Sequence, residues 1–393
     1  MRQTFGYIDQ ATDLERFCEE IRAEPWIAVD TEFVRERTYY PQLCLIQVGI
    51  PGRAVCIDPL VLPDLGPLFT VLYDRSITKV LHASSQDLEI FAHLEGRIPG
   101  PLFDTQLAAP LVGLADQIGY ANFVREMLGV SLEKAHSRTD WSRRPLSDDQ
   151  LRYAADDVRY LSDLYPGFRG QLSEMGRLQW LVPEFEALED IDRYRQDPDT
   201  AWLRVRGLEK LRPRSLGVLQ ALARWREKIA REKNLPRNWV LKDEVLVDIA
   251  RLTPGRIDKL STIRGLPEKS LARYGSRVLQ LVQEGLSGEA EPLPDWKRKA
   301  KKPTVQEEVL TDLLQAGLRQ LAERYSINSA VLANRKQLTA LARGEGDIPL
   351  LSGWRHEMAG AELLAIRNGE RIISVANGQV VIAPKDTNRR DNS

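Results

Sequence analysis

The first 170 or so residues alternate between short apolar runs and segments whose apolar positions recur every three or four residues. Short apolar runs are typical of strands, and the longer spacing is typical of amphipathic helices. The strand-like runs cover 26–33, 42–49, 53–57 and 79–82, and the helix-like segments cover 12–23 and 85–96. Closely spaced strands followed by strand and helix in turn predict a mixed α/β sheet.

Helical patterns replace strand patterns after about residue 200. Segment 292–303 is rich in Pro and Lys and is interpreted as a linker. Segments 238–252 and 329–343 resemble each other across a one-residue gap, which predicts a tandem repeat of one small helical module. Chance similarity between two amphipathic helices is the alternative. Near the C-terminus, an Asn-Gly pair between two apolar runs predicts a hairpin, and a disordered tail follows it.

Charge is unevenly distributed along a chain whose net charge is −1. Residues 1–200 hold 20 basic and 33 acidic side chains, a net charge of −13, whereas residues 201–300 hold 22 and 12, a net charge of +10. Residues 301–393 carry a net charge of +2. A basic module joined to an acidic half is able to attract a polyanion such as a nucleic acid. A solvated helix surface rich in Arg and Lys is the alternative.

The length of 393 residues predicts two or three domains, and a hydrophobic share of 43% suits folded domains with real cores. The three cysteines form no C-x-x-C pair, and together with four histidines they make no zinc-binding pattern. Any metal would therefore need oxygen ligands. Because no apolar run approaches 18 residues and the N-terminus has no signal-peptide pattern, we expect no membrane contact and a cytoplasmic location.

Two acidic residues, Asp30 and Glu32, interrupt the apolar run that begins at Trp26. Side chains alternate along a strand, so the two carboxylates share one face and repel each other unless a cation binds them or one is protonated. Carboxylate pairs favour Mg²⁺ or Mn²⁺. In the alternative, the strand ends near residue 29 and both acids are solvated, but the run 42–49 offers a partner for a longer strand.

A further acid, Asp87, lies just after the strand-like run 79–82. A helix is predicted to begin there with Ser84 or Ser85 as its cap, which puts Asp87 in the first turn. Acids in a first turn are favoured by the helix dipole, so simple capping electrostatics explains this residue equally well.

A third segment combines a tyrosine and an acid on one helix. Ser147 and Gln150 form a capping-box pattern at its start. Tyr153 and Asp157 are four residues apart and so lie along one edge of that helix. A surface hydrogen bond or packing at the edge of the core would explain the pair as well.

Taken together, D-x-E on a strand, Asp at a strand–helix junction and Y-x-x-x-D on a later helix resemble the DEDDy exonuclease family. Within it, the chain is similar to the ribonuclease D family in "VDTEFVRERTYYPQLCLIQVG", "VLHASSQDLEIF", "LFDTQLAA" and "LEKAHSRTDWSRRPLSDDQLRYAADDVRYL". Residues 213–288 resemble the HRDC module, the helicase-and-RNase-D C-terminal domain, and residues 305–384 resemble a degraded second copy. The resemblance covers nearly the whole chain, strongly to about residue 170 and weakly after 305.

The resemblance implies an α/β fold, with an RNase H-like exonuclease domain followed by two small all-α HRDC-type domains. The implied boundaries are 1–200 for the exonuclease domain, 205–290 and 303–385 for the HRDC-type domains, and 386–393 for the disordered tail. The implied reaction is hydrolysis of RNA from its 3′ end to nucleoside 5′-monophosphates. Expected substrates are tRNA precursors and other structured RNAs with single-stranded 3′ ends.

The resemblance also assigns roles in the site. Asp30, Glu32, Asp87 and Asp157 are implied to hold two divalent ions, Mg²⁺ or Mn²⁺, with Asp30 touching both. Tyr153 is implied to orient the attacking water or help to deprotonate it. All five positions of the family's set are present.

Several further residues are candidates for substrate contact. Phe33 could stack on a terminal base, with core packing as the alternative. His82 and Gln47 could reach the cleft from neighbouring strands. Arg138 and Trp141 precede the catalytic helix, where an aromatic residue among arginines suits single-stranded RNA. Trp141 could equally hold its loop to the domain.

The first HRDC-like module is expected to hold RNA by its backbone, with little base specificity. Trp239 is expected to anchor the core of that module. The basic residues at or near the start of the module are Arg204, Arg206, Lys210, Arg212, Arg214, Arg224, Arg226 and Lys228.

Two other functions use the same residues. A DNA-directed 3′–5′ exonuclease would need the same four acids, although no polymerase-sized region accompanies them. A catalytically silent RNA-binding adaptor would keep the fold without the chemistry, but the complete acid set argues against it. We expect the protein to be a monomer.

Overall fold

The computed structural model describes residues 5–132, 139–294, 297 and 302–385. The strands of its N-terminal sheet are β1 (Phe5–Ile8), β2 (Trp26–Val34), β3 (Gln42–Ile50), β4 (Arg53–Ile57), β5 (Thr78–Leu81) and β6 (Leu102–Asp104). They are ordered β1-β4-β3-β2-β5-β6. Strand β3 is antiparallel to β2 and β4, and the other neighbouring pairs are parallel. The predicted mixed sheet is confirmed.

Helices cover both faces of this sheet. They are α1 (Ala11–Ile21), α2 (Gly66–Leu72), α3 (Ser85–Glu95), α4 (Thr105–Ala108), α5 (Tyr120–Leu128), α6 (Asp148–Glu174) and α7 (Val182–Glu189). Helices α1, α2 and α3 bury Phe17, Leu68 and Phe91 on one face. Helix α6 buries Ala154 and Val158 on the other. The sheet is therefore the middle layer of the domain.

Helix α6 lies against the sheet at a row of small residues. Ala28, Gly49 and Ala54 are neighbours across β2, β3 and β4. A Cβ atom added to Gly49 would lie 2.6 Å from the backbone oxygen of Val158 on α6. The small residues therefore set how closely this helix approaches the strands.

A first helical module follows this N-terminal domain. It contains α8 (Pro213–Glu232), α9 (Arg237–Val240), α10 (Asp243–Leu252), α11 (Ile257–Leu260) and α12 (Glu268–Ser287). It encloses a core of its own that includes Trp202, Leu219 and Ile249.

A second helical module completes the described chain. It contains α13 (Val305–Arg324), α14 (Ser329–Leu332), α15 (Arg335–Arg343), α16 (Gly353–Arg355), α17 (Ala361–Arg367), and the strands β7 (Arg371–Ala376) and β8 (Gln379–Pro384). Each module begins with a 20-residue helix, then a four-residue helix, then an amphipathic helix. This shared order supports the predicted repeat.

The second module shares its hydrophobic core with the exonuclease domain. Leu314, Leu318 and Leu363 belong to the same cluster of buried side chains as Ala154 and Phe168 of α6. The main core of the first module is a separate cluster, and only a small cluster of Tyr39, Ala230 and Val240 connects that module to the N-terminal domain.

Polar and aromatic contacts also join the second module to the exonuclease domain. The Arg177 guanidinium donates hydrogen bonds to the backbone carbonyls of Leu111, Tyr325 and Ser326. The rings of Trp180 and Trp354 are stacked with centroids 4.7 Å apart. These contacts fix the module beside the C-terminal half of α6.

The predicted C-terminal hairpin is confirmed as β7 and β8. Its turn residues Asn377 and Gly378 have φ values of 52° and 76°, the left-handed backbone that a two-residue turn requires. The predicted tail 386–393 and half of the predicted linker lie outside the described residues. Among the described helices, none has the length and apolarity needed to cross a membrane.

Candidate active site

Strand β2 carries Asp30 and Glu32 on the face that α6 covers. Asp30 lies opposite Gln47 of β3, and a bulge interrupts the register between Glu32 and Phe33. Bulges bend a strand and re-aim its side chains. The strand therefore extends past residue 29, and both acids belong to it, as the partner strand 42–49 indicated.

Helix α3 contributes Asp87 from its first turn. This carboxylate is buried and accepts a hydrogen bond from the Thr31 hydroxyl. Thr31 lies between the two acids of β2, so the strand also orients Asp87 through this threonine. Ser84 is at the N-cap position, but its hydroxyl donates to Asp104 at 2.7 Å instead of capping α3. The predicted start of the helix at Ser84 or Ser85 is confirmed, but Ser84 makes no side-chain capping hydrogen bond.

Helix α6 brings Asp157 to the acids of β2. The predicted capping box at its start is confirmed, with Ser147 N–H donating to Gln150 Oε1 at 2.8 Å and Gln150 N–H donating to Ser147 Oγ at 3.3 Å. Asp30, Glu32 and Asp157 each offer a carboxylate oxygen, and these three atoms lie within 4.8 Å of one another. Such an oxygen cluster suits a hard divalent cation.

Burial and mutual repulsion raise the pKa values of the acids. Burial, then the charges of Asp87, Asp157 and Glu32, raise the pKa of Asp30 well above its usual range. Burial, then the charges of Asp157 and Asp87, raise the pKa of Glu32 to about 9. Burial, then Asp156, raises the pKa of Asp157 to about 8, and burial raises the pKa of Asp87 to about 7. Among the residues that the structure describes, no cation offsets the charge of these acids.

Tyr153 is half-buried beside these acids. Burial, then the charges of Asp157, Glu32 and Asp30, raise the pKa of its phenol. The hydroxyl therefore stays protonated at neutral pH. Trp141 is buried, and its ring is stacked at 6.3 Å from that of Tyr153. This position agrees with the alternative interpretation of Trp141 as a residue that holds its loop.

Sequence reasoning missed Tyr120 of α5. Its hydroxyl donates to the backbone carbonyl of Asp156 at 3.0 Å. Burial, then the charges of Asp157 and Asp30, raise the pKa of this tyrosine. Tyr120 thus braces α6 beside Asp157. A tyrosine in the first turn of an ordinary amphipathic helix carries no local signal of such a role.

The other described candidates for substrate contact are wholly or partly buried. Phe33 packs against the core on the opposite face of the sheet. The ring nitrogens of His82 lie 2.9 Å from Thr105 Oγ1 and 2.9 Å from the carbonyl of Ile118. Gln47 is fully buried. Arg138 lies outside the described residues. Contact of these residues with substrate stays a prediction.

A cavity of about 1020 Å³ lies between the exonuclease domain and the first helical module. We call it the junction cleft; Arg35 and Glu89 line one side, and Arg206, Lys210 and Lys242 line the other. Arg35 and Glu89 pair through hydrogen bonds of 2.7 and 2.9 Å. Glu89 belongs to α3, the helix whose first turn carries Asp87, so one wall of the cleft is formed by an element of the acidic site. The three helical-module cations are exposed and form no ion pair within the described chain.

The loop between β2 and β3 docks the first helical module. The backbone N–H groups of Tyr39 and Tyr40 donate to Asn234 Oδ1 at 3.0 and 3.1 Å. The Tyr39 hydroxyl donates to the buried carboxylate of Glu227. The predicted core role of Trp239 was wrong, because 57% of this residue is exposed.

Comparison with known proteins agrees with this architecture. Residues 5–173 match the family described as 3′-5′ exonuclease, and residues 215–282 match the HRDC domain. The chain is 40% identical over 384 residues to ribonuclease D of Gluconacetobacter diazotrophicus, with 96% of both chains covered. The chain belongs to the ribonuclease D family. A second family member, ribonuclease D of Granulibacter bethesdensis, is 39% identical with 95% of both chains covered.

A solved structure of the ribonuclease D family supports the same fold. Escherichia coli RNase D, described as an exoribonuclease involved in structured RNA processing, superposes with a TM-score of 0.77 at 34% identity. The match covers 93% of this chain and 99% of that one. The fold is thus an α/β RNase H-like exonuclease domain followed by an HRDC helical region. The HRDC match lies within the first module, so the identity of the second as an HRDC copy stays a prediction.

Proposed function

We propose that this protein is a metal-dependent 3′–5′ exoribonuclease that releases nucleoside 5′-monophosphates. The observation that carries the proposal is the convergence of Asp30, Glu32 and Asp157 at one site of an exonuclease fold. The acids alone would serve RNA and DNA equally. Membership of the ribonuclease D family supports RNA as the substrate.

The donor set fits two hard divalent cations, Mg²⁺ or Mn²⁺. Asp30, Glu32 and Asp157 converge, and the charge of the buried Asp87 reaches Asp30 and Glu32. Their raised pKa values mean that positive charge is needed to keep all four ionised. When bound, two divalent ions supply the charge that activates a water molecule and stabilises the departing 3′ oxygen.

Side chains around the acids orient the water molecule and the phosphate group. Tyr153 lies beside the acids, where its hydroxyl orients the attacking water or a phosphate oxygen. Trp141 and the capped start of α6 keep the phenol in place. The carboxylates repel a phosphate until cations neutralise them, so productive RNA binding depends on metal.

Cleavage of matched RNA and DNA strands tests this function. The purified full-length protein is incubated with 5′-labelled linear RNA, the same sequence as DNA, or circular RNA, each with Mg²⁺ or EDTA. We expect stepwise shortening of linear RNA from the 3′ end with Mg²⁺ only, intact circular RNA, and almost no turnover by Asp30→Asn. Equal or faster cleavage of DNA would favour the DNA exonuclease. No cleavage of either would favour the silent adaptor.

We also propose that the RNA strand upstream of the 3′ end crosses the junction cleft. Arg206, Lys210 and Lys242 offer positive charge to the phosphates, and the exposed Trp239 follows the cleft-lining residue Asn238. Cations with an accessible aromatic ring suit single-stranded RNA. Arg226 is not available for this role, because it is buried and pairs with Asp243 at 2.7 Å.

Replacing Arg206, Lys210 and Lys242 by Gln should weaken RNA binding without changing the acids. For single strands, the slope of log K against log salt should fall by roughly 0.7 for each phosphate that is no longer neutralised by a cation. Binding is measured by fluorescence anisotropy at several salt concentrations in the Asp30→Asn background. The matched control replaces the exposed residues Lys302, Arg319 and Lys336, which lie outside the first module, by Gln. Equal slopes in the two triple variants would contradict the proposed path.

We propose tRNA precursors and other structured RNAs with single-stranded 3′ ends as the substrates. The described role of the Escherichia coli relative in structured RNA processing supports this choice. Cys18, Cys44 and Cys56 are buried free thiols, which suits the reducing cytoplasm. The proposed monomeric state is checked by light scattering during gel filtration.

A further inference from the structure

Gln47 is buried without the partners that a buried amide normally has. Its exposed fraction is 0%, and neither its amide nitrogen nor its amide oxygen has a hydrogen-bond partner in the described chain. Unpaired polar groups in a protein interior are destabilising, and most buried side-chain amides are satisfied. An apolar side chain of the same length would fill this space without that penalty. Packing alone therefore does not explain a glutamine here.

Asp30 lies directly opposite Gln47 on the neighbouring strand. Asp30, Gln47 and Cys56 form one row across β2, β3 and β4. Directly opposite residues on antiparallel strands point to the same face, with Cβ atoms about 5 Å apart. The Cys56 thiol is directed at the carbonyl of Leu151, 3.6 Å away. Asp30 is therefore the strong acceptor within reach of the Gln47 amide.

Helix α6 encloses this row from above. Gly49 is two residues from Gln47 on the same face of β3, and it touches the backbone of Val158. Val158 is the residue after Asp157. Gln47 thus lies in the layer between the strand that carries Asp30 and the helix that carries Asp157, where no RNA can reach it.

We propose that Gln47 is a positioning residue for Asp30. Its amide N–H donates to the Asp30 oxygen that faces β3 when a bound divalent cation holds that carboxylate in its ionised form. The hydrogen bond fixes the orientation of the carboxylate toward the metal. Groups behind metal ligands commonly act in this way. The inference rests on the metal-dependent function proposed above, and it replaces direct substrate contact as the role of Gln47.

The test compares Gln47→Met with the wild-type protein. Methionine has the same length but has no amide, so the metal-free protein should keep or raise its melting temperature. Mn²⁺ alone, titrated by calorimetry without RNA, should bind about 10–100-fold more weakly. In RNA cleavage, kcat should fall by a similar factor while KM stays unchanged. Gln47→Asn keeps the amide and should recover part of the Mn²⁺ affinity.

Ser162→Ala is the matched control. Ser162 is also buried in this layer with an unpartnered hydroxyl, but it packs against Gly49 and not beside Asp30. This variant should keep normal Mn²⁺ affinity and kcat. If Gln47→Met binds Mn²⁺ as tightly as the wild-type protein, the inference is overturned. A lower melting temperature of the metal-free variant, with unchanged Mn²⁺ affinity of its folded form, would show a purely structural role and would also overturn it. If the wild-type protein fails to cleave RNA, the exoribonuclease proposal fails, whereas the Mn²⁺ titration still decides the role of Gln47.

Discussion

The carboxylates of Asp30, Glu32 and Asp157 converge at β2, and the charge of the buried Asp87 raises the pKa values of the first two. The described residues supply no ion pair to Asp30, Glu32, Asp87 or Asp157, and the Thr31 hydroxyl donates a hydrogen bond to Asp87. Without metal, the folded protein retains protons that the unfolded chain releases. The clustering of acids that suits a metal ion therefore lowers the free energy of unfolding of the metal-free protein.

This conflict predicts a specific dependence of stability on pH. The pKa values of Glu32 and Asp157 are about 9 and about 8 in the folded protein, against roughly 4 in an unfolded chain. The folded state binds more protons between these limits, so the free energy of unfolding of the metal-free protein should fall as pH rises from about 4 to about 9. Mg²⁺ should raise the melting temperature more at pH 8.5 than at pH 6.

The measurement is thermal denaturation in EDTA and in Mg²⁺ at both pH values. Glu32→Gln should flatten the pH dependence in EDTA, because it removes one of the shifted groups. Equal Mg²⁺ stabilisation at the two pH values would count against metal binding by these acids.

A separate prediction concerns the phenol of Tyr153. Tyr153→Phe should lower single-turnover cleavage by roughly 10²-fold, as expected when one preorganised donor to the reacting groups is removed. RNA affinity should change little, because the ring still packs on Trp141. Tyr160→Phe on the same helix is the control and should cleave normally. An unchanged rate in Tyr153→Phe would remove this hydroxyl from the chemistry.

At the level of elements, the close approach of α6 to β3 fixes the spacing of the site. Gly49→Ala would place a methyl group 2.6 Å from the Val158 carbonyl oxygen, so the helix must move outward. We expect a loss of about 1–3 kcal/mol in the free energy of unfolding, together with weaker Mn²⁺ binding because Asp157 moves with the helix.

Gly6→Ala on β1 is the control for this substitution. A Cβ atom at Gly6 would lie 3.4 Å from Val55 Cγ2, an ordinary contact. Urea denaturation of both variants gives the comparison. Equal stabilities would contradict a close approach of helix and sheet at Gly49.

Periodicity predicted the elements that extend over several residues. Strands β2 to β5, the capping box of α6 and the shared face of Asp30 and Glu32 all follow from local patterns. Strands β1 and β6 were not predicted, because four and three residues are too few to show alternation. Strand β5 is as short as β1, but its apolar run directly before a predicted helix identified it. The predicted core position of Trp239 was wrong, because helix α9 has only four residues and is too short for periodicity to show which side chains face the core.

Other features of the site depend on tertiary contacts that no local pattern encodes. The hydrogen bond from Thr31 to Asp87 spans 56 positions of sequence. Tyr120 reaches the Asp156 carbonyl from a different helix. Gln47 could be recognised as a polar residue in an apolar strand, but its depth depends on how closely α6 packs. The family resemblance identified the acidic residues, whereas only the tertiary structure identified the side chains that surround them.

At the level of the whole molecule, the two helical modules contact the exonuclease domain in different ways. The first has a separate main core and docks through polar contacts around Tyr39 and Asn234 and a small apolar cluster of Tyr39 with Ala230 and Val240. The core of the second belongs to the same large cluster as the buried side chains of α6. Removing everything after residue 200 would therefore damage the catalytic domain as well as delete an RNA-binding surface.

Arg177→Met tests the attachment of the second module. The substitution leaves the carbonyls of Leu111, Tyr325 and Ser326 without this donor. We expect a loss of about 3 kcal/mol in the free energy of unfolding. Arg231→Met is the control at the other junction, where the exposed guanidinium contacts Tyr40 and Gln196. It should cost less than about 1.5 kcal/mol. Equal losses in urea denaturation would contradict the proposed difference between the modules.

Because the second module contributes to this shared core, the core cannot be complete until that module has been translated. Leu314, Leu363 and Ile366 belong to the same buried cluster as the side chains of α6. At about 5–20 residues per second, a ribosome needs roughly ten to thirty seconds to go from residue 200 to residue 366. During that interval the nascent exonuclease domain keeps an uncovered apolar face. A prematurely terminated chain is thus a target for chaperones and proteases, and the cell is spared an RNA-degrading fragment without its helical modules.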